Sequence, residues 1–380
     1  MTRPLAPSEV FHAFLDWQTD FEIDLPATAD VPATAALTRL YEQFPALGGR
    51  VARTPDGFVL EPSQEPASVT SGGDVCAVRS ELSAFAVAAP RPGVLRLSGR
   101  LHHALCDVTG ILSVADHLAG LLGVDPTAES ITDDDAQRWP ITAEAAFAAE
   151  QSEQGMHAVQ RFYAEATPPA LPRAGPSTLT LAPAAVIAID AGCAAAGASL
   201  TSVLATAAAA FVTDDRVVVG VPVDCRVFLD DAAIAPRAIG NCSHGALLTV
   251  AGRAETTAEI LSAAKQYDGD LLDQLESETP AQPFRDGTRY LPEFNPPAEV
   301  VVSNARGAAR RFARLASADR VLVVPGCSIP GLPMIAVNES PADGAVTITL
   351  VAHPTEFPDD RARALIAALA RTLTEIGDKS

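Results

Sequence analysis

Leu101-His102-His103-Ala104-Leu105-Cys106-Asp107-Val108-Thr109-Gly110 is the stretch on which the reading of this chain turns. Two adjacent histidines are followed, after three intervening residues, by an aspartate. Upstream, Gly93 to His102 alternates in part between apolar and polar residues, with Val94, Leu95, Leu97, Gly99 and Leu101 along it, which is the pattern of a strand. Downstream, Ile111, Leu112, Ala115, Leu118 and Leu122 recur at helical spacing from Val108 onward. The histidine pair is therefore expected where a strand gives way to a helix, and loops at such junctions hold reactive groups over a cleft.

An imidazole there suits proton transfer, because its ordinary pKa of roughly 6.5 lies near working pH. A histidine at a strand end is also commonly structural, so the residue pair alone leaves both readings open. A metal site built from His102, His103 and Asp107 is disfavoured, since neighbouring residues of a strand point to opposite faces. Cys106 lies inside the loop without an independent base and reads as a buried, inert thiol.

Working outward, Pro32 to Leu47 carries Leu37, Leu40, Tyr41 and Phe44 at helical spacing. Arg50 to Glu61 reads as a hairpin turning at Pro55-Asp56-Gly57, and Ala143 to Ala164 as a helix. Thr167 to Ser177, TPPALPRAGPS, has four prolines in eleven residues and fits neither a helix nor a central strand. It is taken as a linker (residues 167–177) between an N-terminal domain (1–166) and a C-terminal domain (178–380). In the second half, helices are expected over Leu200–Phe211, Thr256–Leu275 and Pro358–Ile376. Strands are expected over Arg216–Val221, Val300–Val302, Val321–Val324, Pro333–Val337 and Ala345–Val351. Interleaved helices and strands in both halves give an α/β (α+β) protein of two domains.

The chain has 380 residues, 48% of them hydrophobic and 5% aromatic, with a formal charge of −20. Such a surface repels nucleic acid and anionic lipid. Arg306, Arg310, Arg311, Arg314 and Arg320 form a basic cluster, read as a solvated segment, with a landing site for an acidic carrier protein or a phosphate group as the sharper alternative. Asp133-Asp134-Asp135 reads as a solvated turn. Cys76, Cys106, Cys193, Cys225, Cys242 and Cys327 show no paired spacing, and Asn241-Cys242-Ser243 and Asn338-Glu339-Ser340 match the glycosylation sequon. The opening MTRPLAPSEVFHAFLDW lacks a signal-type apolar core, and no apolar run reaches about 18 residues. The expectation is a cytoplasmic protein with free thiols and no membrane span.

Further segments join the histidine motif. Pro45-Ala46-Leu47-Gly48-Gly49-Arg50 follows the first helical stretch, Val221-Pro222-Val223-Asp224-Cys225-Arg226 and Ile239-Gly240-Asn241 lie in the second half, and Val302-Ser303-Asn304-Ala305-Arg306-Gly307 comes later. Together with H-H-x-x-x-D, these pieces resemble the signature of a superfamily that includes chloramphenicol acetyltransferase, nonribosomal peptide condensation domains, wax ester synthases and polyketide-associated acyltransferases. Within it the chain looks most like the phthiocerol dimycocerosyl transferase type. Two departures stand out: Val108 occupies the place where the family usually has glycine after the aspartate, implying a differently aimed loop, and the D-F-G-W-G motif is absent.

The resemblance implies two chloramphenicol acetyltransferase-like domains with a substrate channel between them. It makes His103 the general base that moves an acyl group from a thioester, carried by acyl-CoA or a phosphopantetheinyl acyl carrier protein, to a small-molecule or lipid alcohol. It makes Asp107 a structural carboxylate paired with Arg226, and puts His102 behind the site. Gly110, Asn241, Ser303 and Asn304 become candidates for substrate or oxyanion contact. No metal or bound cofactor is implied, a monomer is expected, and a polyketide synthase carrier domain is a candidate partner. A non-catalytic carrier-binding module, an amide-forming condensation enzyme and a thioester hydrolase remain open alternatives.

Overall fold

In a computed structural model, all residues are described except 1, 64–67, 73–74, 126, 129–130, 132–140, 143–152, 170, 173–174, 213–215, 225, 227–238, 252–253, 278–297 and 380. Cys225, the Asp133–Asp135 run and the first ten residues of the helix expected from Ala143 lie outside the described residues.

Two six-stranded sheets carry the fold. The first is antiparallel throughout, in the order β15-β2-β8-β7-β6-β5. Its strands are β2 (Gln18–Leu25), β5 (Val69–Gly72), β6 (Val75–Arg79), β7 (Ser83–Arg91), β8 (Val94–His102) and β15 (Arg320–Pro325). The second sheet is mixed, in the order β10-β17-β16-β14-β11-β13. It comprises β10 (Ser177–Leu181), β11 (Arg216–Asp224), β13 (Ser243–Ala251), β14 (Val300–Asn304), β16 (Met334–Glu339) and β17 (Val346–Val351). Its centre is parallel, β14 pairing with both β11 and β16.

β2 shows why these segments become strands. In QTDFEIDL, Phe21, Ile23 and Leu25 point into the first core, while Asp20 and Asp24 on the other face bind Arg100 and Arg96 of β8 through paired contacts of 2.5–2.9 Å. Period-two burial and cross-strand ion pairs together fix the register. Helices α1 (Pro7–Phe14), α2 (Ala33–Gln43), α3 (Val108–Leu121) and α4 (Glu153–Glu165) belong to the first half. α5 (Pro183–Ala196), α6 (Leu200–Val212), α7 (Thr257–Ser277) and α8 (Asp359–Gly377) belong to the second. A small sheet, β1 (Arg3–Pro4), β4 (Gly57–Glu61) and β3 (Arg50–Thr54), contains the hairpin that turns before Gly57.

The cores do not divide at a single point of the chain. Ala308, Ala309, Phe312, Leu315, Ala318, Val321 and Val323 belong to the first core although they lie in the second half of the sequence. β15 extends this exchange by adding an edge strand to the first sheet. The side chain of Asn338 on β16, 1% exposed, accepts from the Val323 N–H at 3.0 Å and donates to its carbonyl at 3.1 Å. One buried amide thus stitches the two sheets together, and it leaves the Asn338 sequon without an accessible acceptor. Asn241 is likewise fully buried.

Each arginine of the basic cluster has a carboxylate partner: Arg306 with Asp190, Arg310 with Glu339, Arg311 with Asp224, Arg314 with Asp116 and Arg320 with Glu22. Arg314 is 2% exposed and also donates to the Val124 and Ala128 carbonyls. Arg306 and Arg314 therefore tie elements together from largely covered positions. Arg310, Arg311 and Arg320 stay about half exposed, as the solvated reading expects, but each is paired with a carboxylate.

Among the described residues no single helix is long and apolar enough to cross a membrane. The bent pair α5 and α6 is long and apolar enough only when the two are taken together, and Val186, Ile189 and Cys193 of α5 and most of α6 lie in the second core.

Candidate active site at the junction of the two halves

Asp107 caps α3: its Oδ1 accepts the N–H of Gly110 at 2.8 Å. The same carboxylate takes both arms of the Arg226 guanidinium, at 2.8 and 2.9 Å, and the Cys242 N–H at 2.8 Å. Both side chains are buried, 6% and 3% exposed. Arg226 also binds the Gly240 carbonyl at 3.0 Å and Asp224 at 3.0 Å. Burial disfavours its charge, but Asp107 outweighs that and holds the guanidinium above its ordinary pKa. This knot brings the start of α3 against the short strand β12 (Gly240–Asn241), which pairs in parallel with β9 (Ile141–Thr142).

The knot also explains two glycine positions. Val108 opens α3 with helical backbone, is not among the residues of positive φ, and packs on the first core; nothing in the backbone there calls for glycine. Gly110 is the residue that must lack a side chain. A Cβ on it would stand 2.8 Å from the Gly240 carbonyl oxygen. Gly110→Ala is expected to push α3 off β12 and destabilise the protein by about 1–3 kcal/mol, the usual range for overpacking, read as a lower denaturation midpoint. Its N–H is spent on Asp107, so Gly110 supports the loop.

His102 and His103 diverge. His102, 2% exposed, accepts the Ala104 N–H on Nδ1 at 3.1 Å and turns Nε2 toward Asp16 Oδ1 at 3.4 Å. That arrangement puts the proton on Nε2, and this hydrogen bond lowers the Asp16 pKa. Asp16 itself adopts the left-handed conformation, φ 46°. It reverses the chain after α1, so that the Trp17 carbonyl accepts the His103 N–H at 2.7 Å.

His103 is half-buried. The Asn241 amide, from the second half of the chain, donates to its carbonyl at 3.0 Å and lies 3.4 Å from its Nδ1. Asn241 Oδ1 accepts from Ser243, so Asn241 grips the backbone of His103 and is not a free oxyanion donor. The Asn241 amide nitrogen is the one described hydrogen-bonding group at Nδ1, and no described residue bonds Nε2. The ring stacks on His12 of α1, centroids 4.2 Å apart at 8°, and meets the edge of Trp17 at 5.2 Å. Burial pushes the His103 pKa below its ordinary value; the proximity of Asp107 works the other way. His12 is lowered further, first by burial and then by the positive charge that His103 and His102 would carry.

Both rings are thus neutral in the folded protein at pH values where the unfolded chain, with histidines near roughly 6.5, takes up protons. More protons on the unfolded state means stability rises with pH. Urea midpoints are therefore expected to fall as pH is lowered from neutrality through the ordinary histidine range, and to fall less steeply in His12→Phe.

Ser303 and Asn304 end β14. Asn304 is exposed and committed, donating to Thr201 at 2.8 Å and accepting the Arg306 N–H at 3.0 Å, so it turns the backbone rather than facing the histidine. Ser303 alternates with Val300 and Val302, which face the second core. It therefore shares the opposite face with Val301, which packs on a cluster holding Leu15, Trp17, Cys327 and Met334. That cluster draws residues from both halves of the chain. Sequence reasoning passed over His12, Asp16 and Trp17; the signal was HAFLDW, a histidine and one of only two tryptophans five residues apart.

No family model and no curated protein matches the sequence. Among solved structures, the chain is similar to polyketide synthase associated protein 5 from Mycobacterium tuberculosis, at TM-score 0.70 and 19% identity, over 99% of this chain and 97% of that one. It is also similar to the first condensation domain of the calcium-dependent antibiotic synthetase, at TM-score 0.66 and 16% identity over 99% and 96%. A third similar structure is trichothecene 15-O-acetyltransferase from Fusarium sporotrichioides, at 0.63 and 12% over 99% and 95%. The chain therefore has the fold shared by these condensation-domain and acyltransferase structures.

Proposed function

We propose that the chain transfers an acyl group from a thioester to a hydroxyl, with His103 Nε2 as the general base. The observation that carries this reading is the placement of one ring: half-buried, its pKa pushed below the ordinary value by burial, with Nε2 free of any described partner, at the seam where residues of both halves meet. Such a group accepts a proton at neutral pH from whatever reaches it.

In the reaction, His103 Nε2 takes the hydroxyl proton as the oxygen attacks the thioester carbon. The tetrahedral oxyanion collapses, the carbon–sulfur bond breaks, and the imidazolium returns its proton to the leaving thiolate. An ester and a free thiol result, with no acyl group on the enzyme. Asn241 and the Asp107–Arg226 knot hold the histidine loop in place. Of the proposed substrate contacts, Ser303 alone makes no side-chain hydrogen bond among the described residues while facing the seam, and it is the candidate for touching the acyl carbonyl. The donor thiol is coenzyme A or the phosphopantetheine of a carrier protein.

Thiol release from a panel of acyl-CoA and acyl-carrier thioesters, with and without added alcohols, tests the reading. Alcohol-dependent release is expected. An absence of release across the panel would instead support a non-catalytic carrier-binding role.

A further inference from the structure

The imidazole of His12 has no place in the proton transfer just described, yet it makes the closest ring contact of His103. Its plane is 8° from parallel with the His103 ring at 4.2 Å, and Trp17 closes the group by meeting both rings edge-on at 5.2 Å. A hydrogen bond does not explain why His12 is there. Its Nδ1 is buried without a partner, and so is Trp17 Nε1. A buried unpaired donor or acceptor is costly, and two of them sit in a cluster of three rings. Packing of flat faces is what holds these side chains, and the flat face is what His12 contributes.

The need for it follows from how His103 is tethered. Trp17 and Asn241 fix its backbone through the 2.7 Å and 3.0 Å bonds to N–H and carbonyl. The ring itself is held only along its Nδ1 edge, and a planar ring hinged on one edge swings unless something lies against its face.

We propose that His12 is a positioning residue for His103, its stacked ring fixing the plane of the base so that Nε2 stays aimed into the seam between the two halves. The proposal rests on the acyl-transfer reading for its kinetic consequence, but not for its structural one.

His12→Leu fills a similar volume without a flat face; His12→Phe keeps the face and removes the nitrogens. A displaced general base loses on the order of 100-fold in rate. His12→Leu is expected to lower kcat by that order with KM nearly unchanged, and His12→Phe to keep most of the wild-type kcat. The second readout is the proton spectrum of the histidine rings, with His103→Ala assigning the His103 signal among seven histidines. The ring-current displacement of that signal is expected to persist in His12→Phe and collapse in His12→Leu. If both variants lose turnover alike, both keep it, or the His103 signal is unmoved in His12→Leu, the proposal is overturned. If wild type and His103→Ala turn over equally, the acyl-transfer reading has failed instead, and the ring signal alone decides the role of His12.

Discussion

His103→Ala is expected to lower kcat for acyl transfer by about 10²–10⁴-fold, the contribution usual for a positioned general base, while leaving the protein folded. The fold survives because the ring is only half-buried and the contacts that order the loop run through its backbone, to Trp17 and Asn241. The substitution keeps both. Rate and stability should therefore separate cleanly: thiol release collapses, and the denaturation midpoint stays close to that of wild type. A coupled loss of both would mean that His103 serves packing.

The opposite separation is expected at the knot. Asp107→Ala leaves the buried Arg226 guanidinium with only Asp224 as a carboxylate partner among the contacts described, and removes the acceptor of the Cys242 N–H and the cap of α3. Breaking a buried pair from one side costs about 3–5 kcal/mol, and losing the cap about 1 more. Removing Arg226 instead, as Arg226→Met, strands the carboxylate in the same way. The two residues share one network, so the double variant should be less destabilised than the sum of the singles. Urea denaturation of the four proteins reads this directly. Equal additivity would show that the 2.8 and 2.9 Å contacts contribute nothing as a pair.

These two experiments divide the motif by physical role. His103 is held by its backbone and leaves Nε2 without a described partner; the aspartate is held through its buried side chain. The divergence of His102 and His103 has the same origin: successive residues at a strand end leave on opposite sides. His102 therefore goes to Asp16 and the interior, and His103 to the seam.

Much of this was legible in the sequence, and the unread parts have definable causes. The stretch from Gly93 through Leu122 announced β8 and α3 because its period switches from two to helical at the Asp107 cap. The Val217–Val221 run marked β11 by apolar continuity, which suits a strand inside a sheet covered on its core face. α5 was not read because its hydrophobic stripe is diluted by alanine on every side: only Val186, Ile189 and Cys193 of its residues are buried. β7 was hidden likewise in an alanine-rich run, SAFAVAAPR, whose buried residues are Ser83, Phe85 and Val87. The exchange of β15 into the first sheet could not be read at all. Its strand pattern is ordinary, and partner choice between two sheets is settled by contacts far apart in sequence, here Arg320 to Pro325 against Asp24 to Thr19.

The same limit governed the site. Asp107 and Arg226 stand 119 residues apart and were linked only by resemblance to a family pattern. The rings of His12 and Trp17 belong to no such pattern, and their meeting with His103 depends on the left-handed turn at Asp16, which a non-glycine residue gives no reason to expect. Conversely, Asn304 and the arginine cluster looked available in sequence, because charge and amide groups are counted there without their partners.

The central claim is that the acyl group passes directly from the thioester to an alcohol, with His103 taking the alcohol's proton. The most direct test runs the wild-type protein with an acyl thioester and a mixed panel of alcohols in heavy-oxygen water, and weighs the products by mass spectrometry. An ester free of heavy oxygen, absent with His103→Ala, is the expected result; free acid carrying the heavy isotope, formed equally with or without alcohol, would contradict it.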